Sequence, residues 1–128
     1  MKGYTMLIIL LLAVTGPAMA QEQRLFNLKE IQEFRADEAM VKTIIDRPAV
    51  RVRPHFLEPG QNRPRHGHDS DEIVILLEGK LAWVVDGKRF SLRAGDLMLI
   101  PEGAFAEVRN DGDTRATFIA VLTKKVAR

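Results

Sequence analysis

The side chains best suited to chemistry stand close together in the stretch RPRHGHDSDE, residues 63–72. It contains two of the three histidines, His66 and His68, and Glu72 follows four residues after His68. Two imidazoles and one carboxylate can hold a divalent transition metal and leave other coordination positions open for water, oxygen or a substrate. The spacing therefore predicts a metal site at these three residues. The alternative is that the three side chains satisfy one another through hydrogen bonds alone.

A β-strand is the element that would bring these ligands together. Side chains two residues apart on a strand point to the same face, so His66 and His68 would share a face with Gly67 on the other. Glu72 lies an even number of residues further and falls on that face if the strand continues or bends gently. The three ligands would then converge from one side.

The chain after residue 38 has the pattern of short strands divided by turns. Runs rich in Val, Ile and Leu alternate with Gly-, Pro- and Asp-containing stretches at 46–48, 58–60, 78–80, 86–87, 94–96, 101–103 and 110–112. This pattern is typical of an all-β sandwich or barrel. The dipeptide Asp86-Gly87, between LAWVV and KRFSL, predicts a two-residue hairpin.

The N-terminal residues 1–20 are predicted to be a signal peptide. Lys2 supplies a positive charge, Leu7–Val14 is a short apolar run, and Ala18-Met19-Ala20 is a small-residue cleavage site. The apolar run is shorter than the roughly 20 residues of a membrane helix, although an uncleaved anchor is the alternative. We therefore expect a periplasmic or secreted protein whose mature chain begins at Gln21.

The mature chain divides into an arm and a barrel. Residues 21–38 are polar, and Asn27 followed by Glu30 predicts a capping box for a short helix. The apolar positions of that helix would be Leu28, Ile31 and Phe34. Residues 39–128 form the predicted barrel.

Two glycine-bounded patterns give a resemblance to a known family. The first runs Gly60, His66, His68, Glu72 and Gly79. The second runs Gly95, Pro101, Gly103 and Asn110. Their spacings resemble the two motifs of the small single-domain cupins. The resemblance implies a jelly-roll barrel (a double-stranded β-helix) and a divalent metal ion, Fe, Mn, Zn, Cu or Ni, held by residues of the first motif.

The second motif departs from the family pattern at one position. The family normally supplies a third histidine three residues after Gly103, where this chain has Ala106. A methyl group cannot ligate a metal, so the implied site consists of His66, His68 and Glu72 only. The neighbouring Glu107 should point to the opposite face of its strand, unless a bulge at Gly103 shifts the register.

A second candidate group lies in AVRVRPHFLEPG. Arg51, Arg53 and His55 alternate with apolar residues, which places them on one face of a strand. If that face lines the barrel, Arg53 and His55 could bind an anionic ligand, since arginine can contact a carboxylate through two hydrogen bonds. The alternative is a solvated outer face or a subunit contact.

The amino-acid composition indicates which classes of partner to expect. Without Lys2 the chain has 18 basic and 17 acidic residues, a balance that predicts no nucleic-acid partner and, after signal cleavage, no membrane partner. The absence of cysteine excludes disulfides and thiolate chemistry. The expected partner is a small molecule. Open jelly-roll sheets expose edges that tend to pair, so we also expect a homodimer.

Together these observations predict an exported small cupin whose metal acts on a small molecule, anionic if the arginine face lines the barrel. Whether the protein is an enzyme stays open; if it is, the family suggests a dioxygenase, an isomerase or a lyase. The alternative function is a non-catalytic, metal-free module that binds or senses a small molecule. Ala106 favours this alternative, whereas the complete first motif favours metal binding.

Overall fold

The structure, a computed structural model, describes Gly3 and residues 23–125. Apart from Gly3, the predicted signal peptide lies outside the described residues and stays a prediction. Within the described part of the chain, no helix is both long and apolar enough to span a membrane.

The described residues form one short helix and ten strands. These are α1 (Leu28–Ile31), β1 (Met40–Val41), β2 (Ile45–Asp46), β3 (Val50–Leu57), β4 (Asn62–Gly67), β5 (Glu72–Glu78), β6 (Lys80–Val85), β7 (Lys88–Arg93), β8 (Leu97–Ile100), β9 (Phe105–Arg109) and β10 (Ala116–Thr123). The predicted all-β fold class is confirmed.

Two antiparallel sheets face each other. The larger has the strand order β1-β3-β10-β5-β8, with β2 also pairing with β3, and the smaller has the order β4-β9-β6-β7. Neighbouring strands are mostly distant in sequence, as in a jelly roll. The core lies between the sheets, where Trp83 and Phe118 meet edge to face with ring centroids 5.0 Å apart.

The hairpin predicted from Asp86-Gly87 is confirmed. Val85 at the end of β6 pairs with Lys88 at the start of β7, which leaves two residues in the turn. Both have positive φ, 48° at Asp86 and 81° at Gly87. This is the conformation of a type I′ turn, whose twist matches that of the flanking strands.

The N-terminal arm contains a shorter helix than the sequence suggested. The Asn27 side chain accepts a hydrogen bond from the backbone N–H of Lys29 (2.9 Å), but α1 ends at Ile31. Phe34 lies beyond the helix and packs edge to face on Phe56 of β3, 5.5 Å between centroids. The arm thus covers the outer side of β3, so the second half of that strand is buried on both faces.

Candidate metal centre

The three predicted ligands converge at the junction of β4 and β5. His66 lies near the end of β4, His68 in the turn that follows, and Glu72 is the first residue of β5. Their ligand atoms all lie within 4.8 Å of one another. The strand does not continue through all three residues, because β4 ends at Gly67 and the chain turns before Glu72.

Backbone hydrogen bonds fix this turn against the turn between β8 and β9. The carbonyl oxygen of His68 accepts a hydrogen bond from the N–H of Gly103 (3.0 Å). The Asp71 carboxylate accepts one from the N–H of Glu102 (2.9 Å). His68 is therefore held by contacts on both sides of the junction rather than by strand pairing.

A backbone contact orients the His66 ring. Its Nδ1 lies 2.8 Å from the carbonyl oxygen of Pro64, which can only accept a hydrogen bond. The neutral ring therefore carries its proton on Nδ1 and keeps the Nε2 lone pair free for a metal. The ring stands nearly perpendicular to that of His68, with centroids 4.8 Å apart.

His68 and Glu72 make the closest contact within the cluster. The Nε2 of His68 lies 2.8 Å from a carboxylate oxygen of Glu72. Burial raises the pKa of Glu72 and lowers the pKa of His68, which the nearby His66 and Arg53 charges lower further. Burial thus disfavours the charged form of both groups. A bound divalent cation would reverse this effect for the carboxylate, since it stabilises the ionised form.

These residues fit a transition-metal ion. Two imidazoles and one carboxylate, with ligand atoms this close, form the two-His-one-carboxylate donor set. The position of the family's third histidine lies beside them, because Ala106 of β9 pairs with His66 across the β4–β9 ladder. The methyl group of Ala106 is buried and leaves that side of the cluster without a fourth protein donor.

The cluster opens into a cavity of about 50 Å³ between the sheets. Its wall combines polar residues with core side chains: Arg53, His55, Arg63, His66, His68, Glu72, Trp83, Ala106, Glu107, Val108, Phe118, Ala120 and Leu122. Such a volume holds a few water molecules, or a molecule of a few non-hydrogen atoms. The site is therefore small, and the His68 side chain at its wall is 26% exposed.

The second candidate group divides between the cavity and the surface. Arg53 and His55 both line the cavity, whereas Arg51 forms a surface ion pair with Asp46 (3.4 Å). The sequence thus predicted that polar and apolar residues alternate along β3. It could not show which of the two faces lines the cavity, because the arm buries the other face as well. That Arg53 and His55 bind a ligand stays a prediction.

The two arginines of β4 differ in position. Arg63 lines the cavity, while Arg65 lies over the ring of Phe105, 4.3 Å from its centroid. The β4–β9 pairing shifts register between Arg63 and His66, and such an irregularity has no clear sequence signal. Glu107 also borders the cavity, between the buried Ala106 and Val108 of β9, but its carboxylate is not among the clustered ligand atoms.

Comparison with known proteins identifies the family to which a protein with this site is related. A family model described as "Cupin domain" matches residues 55–122. Polyketide synthase CurC of Streptomyces cyaneus is 30% identical over 106 residues, which are 78% of this chain and 69% of that protein. Gentisate 1,2-dioxygenase of a Ralstonia species is 32% identical over 75 residues, 58% of this chain but only 21% of the relative.

The solved structure of TT1209 from Thermus thermophilus has the same fold. It superposes with a TM-score of 0.75 at 23% identity, covering 80% of this chain and 98% of that one. The region matched by the family model contains the His66, His68 and Glu72 cluster, and most of the other residues of the cavity wall lie within it. The chain therefore belongs to the cupin domain family.

Proposed function

We propose that this protein binds one divalent transition-metal ion through His66, His68 and Glu72 and presents it to a small molecule inside the barrel. The observation that carries the proposal is the convergence of the three ligand atoms within 4.8 Å of one another at the wall of a small cavity. When bound, such a metal supplies a Lewis acid with open coordination positions.

The remaining residues orient the ligands and keep the cavity closed. The Pro64 carbonyl holds the His66 ring with Nε2 free, and the turn contacts of His68 fix the second imidazole. Trp83 and Phe118 add apolar surface to the cavity wall and belong to the hydrophobic core. A small molecule in the cavity would therefore meet both polar and apolar groups.

We expect the identity of the bound metal to depend on the compartment in which the chain folds. If the chain folds after export, it meets metals outside cytoplasmic control, and imidazole-rich sites then bind Zn²⁺ or Cu²⁺ more tightly than Fe²⁺ or Mn²⁺. The similarity to a gentisate 1,2-dioxygenase is compatible with a metal-dependent enzyme. The reaction type, whether oxygenation, isomerisation or elimination, is not fixed by the ligand set.

The direct test is calorimetric titration of metal-stripped, tag-free protein with Zn²⁺. We expect binding of one ion by the wild type, and loss of at least tenfold in affinity in Glu72→Gln, which keeps the shape but removes the anionic donor. Asp69→Asn is the matched control, because Asp69 is a carboxylate of the same turn outside the ligand cluster. Equal affinity in all three proteins would contradict the proposal.

A metal-free binding module is the second candidate function, and one observation favours it. His68 and Glu72 already satisfy each other at 2.8 Å, and Ala106 contributes no donor. A barrel of this kind would bind its small molecule through hydrogen bonds and the arginines of the wall. In the titration above it would show no stoichiometric metal binding by the wild type.

We also propose that the protein is exported and forms a homodimer. Support for export is the N-terminal pattern of residues 1–20. Support for the dimer is the edge strand β8, on which Leu97 and Leu99 are 66% and 60% exposed. N-terminal sequencing of the protein from a cell envelope extract tests the first. Sedimentation of the wild type and of Leu99→Lys tests the second, the variant being the more monomeric.

A further inference from the structure

Two guanidinium groups stand in the cavity wall without partners. The Nε atoms of Arg53 and Arg63 are both buried and make no hydrogen bond. None of the ion pairs in the described part of the chain involves either residue. Burial lowers the pKa of Arg53, and the charge of Arg63 lowers it further. The folded barrel therefore holds two like charges together at a cost in stability.

A third unpartnered group lies beside the arginines. The ring of His55 is buried, stacks on Phe118 with centroids 4.2 Å apart, and has an Nδ1 without a hydrogen bond. Its pKa is lowered well below the ordinary value, mainly by burial and then by the two arginines, so the ring is neutral. Stacking fixes the plane of this ring in the cavity wall.

Unsatisfied buried polar groups are costly, and their concentration in one cavity indicates a ligand that would satisfy them. Arg53 and Arg63 bring two positive charges to the wall, against the single carboxylate of Glu72 in the ligand cluster. A divalent metal at the cluster would therefore leave the cavity net positive. The volume of about 50 Å³ limits the ligand to a few non-hydrogen atoms.

From this geometry we infer that Arg53, Arg63 and His55 form a subsite for a compact carboxylate, held between the guanidinium groups and the metal. The inference rests on the proposed metal site and adds the substrate class. Arginine matches a carboxylate through two parallel hydrogen bonds, which lysine cannot reproduce. His55 contributes a neutral ring nitrogen to a ligand hydroxyl or to the second carboxylate oxygen.

The experiment is calorimetric titration of Zn²⁺-loaded and metal-stripped protein with three probes of similar size: glycolate, its neutral analogue glycolamide, and inorganic phosphate. The variants are Arg53→Gln and Arg63→Gln, with Arg53→Lys to separate charge from fork geometry. Arg51→Gln is the matched control on β3, since Arg51 pairs with Asp46 at the surface. Arg65→Gln is the control on β4, since Arg65 lies over Phe105.

We expect the Zn²⁺-loaded wild type to bind glycolate more tightly than glycolamide or phosphate. Each cavity variant should lose roughly tenfold to a hundredfold in glycolate affinity, as for hydrogen bonds to charged groups. Arg53→Lys should recover only part of the loss, and both controls should bind like the wild type. Zinc affinity should stay within a factor of about three in the arginine variants, since neither residue ligates the metal.

Several results would overturn the subsite. If Zn²⁺ binds but glycolate binds no better than glycolamide, or if the cavity variants bind like the controls, the subsite is wrong and the metal site stands. Tighter binding of phosphate than of glycolate would refute the carboxylate class. If no metal binds, the proposed metal function fails; glycolate binding to the metal-stripped protein that is lost in Arg53→Gln would then support the subsite alone, and no binding would overturn it.

Discussion

Replacing His55 with phenylalanine should stabilise the metal-free protein, which is an unusual outcome for a buried position. His55 is 7% exposed, its ring stacks on Phe118 at an interplanar angle of 13°, and its Nδ1 has no hydrogen-bond partner. Phenylalanine can keep the stack and removes the unsatisfied nitrogen. An unsatisfied buried polar atom costs about 1–3 kcal/mol. We expect a gain at the lower end of this range, about 1 kcal/mol.

The same substitution should remove part of the pH dependence of stability. Burial and the charges of Arg63 and Arg53 lower the pKa of His55 in the folded state, so as pH falls below about 6.5 the unfolded chain takes up a proton that the folded ring does not. The wild type therefore loses stability as pH falls from about 6.5, by at most about 1.4 kcal/mol per pH unit from this residue. His55→Phe cannot lose this contribution.

Other titratable and charged side chains also face His55, and they are unchanged in the His55→Phe variant. They are Arg53, Arg63, His66, His68 and Glu72, which share the cavity wall. They are present in both proteins, so the difference between the variant and the wild type isolates His55.

The assay is urea denaturation of both proteins in EDTA at pH 5.5, 6.5 and 7.5. At pH 7.5 the variant should unfold with a free energy about 1 kcal/mol higher, equivalent to roughly 4–8 °C in Tm for a domain of this size. This difference should grow by about 1 kcal/mol at pH 5.5. A variant that is less stable, or a difference that stays constant with pH, would refute the account of His55 as a neutral, unsatisfied ring.

Three further predictions concern two residues that stabilise the barrel and the position at which the family has its third histidine. Gly79→Ala should lower the free energy of unfolding in urea by roughly 3 kcal/mol, because φ is 80° and a Cβ would clash with the Arg115 carbonyl oxygen. Gly87→Ala, with φ 81° and open space around the Cβ position, should lower it by only about 1 kcal/mol. Asn110→Ala should lower the free energy of unfolding in urea by about 3 kcal/mol, because the buried amide donates to the carbonyl oxygens of Leu57 and Thr114 and accepts from Gly112 N–H. A variant as stable as the wild type would contradict this prediction. Ala106→His should raise Zn²⁺ affinity at least tenfold, whereas Ala106→Phe, equally bulky but without a donor, should not.

Much of the fold could be predicted because its signals are local. Asp86-Gly87 determines a hairpin within four residues, through the positive φ of both turn positions. The glycine and histidine spacings of the first motif likewise lie within a short stretch, Gly60 to Gly79, so the resemblance identified the barrel and brought His66, His68 and Glu72 together. Local patterns of this kind do not depend on how the sheets pack.

The rest depended on tertiary contacts that sequence patterns do not encode. The turn that contains His68 and separates β4 from Glu72 is held by Gly103 and Glu102, which are distant in the sequence. Whether Arg53 faced solvent or the cavity was undecidable from alternation, because Phe34 of the arm buries the other face of β3. Arg63 entered the wall through a register shift in β4 that has no residue signature.

The measurement that tests the central claim most directly is the metal content of tag-free protein purified from its own compartment, beside a His66→Ala/His68→Ala variant prepared in the same way. The account predicts close to one transition-metal ion per chain in the wild type, Zn or Cu if the chain folds after export, and almost none in the variant. No metal in the wild type, with none taken up when Fe, Mn, Zn, Cu or Ni is added, would contradict the account. The retained histidines and glutamate would then belong to a metal-free binding barrel.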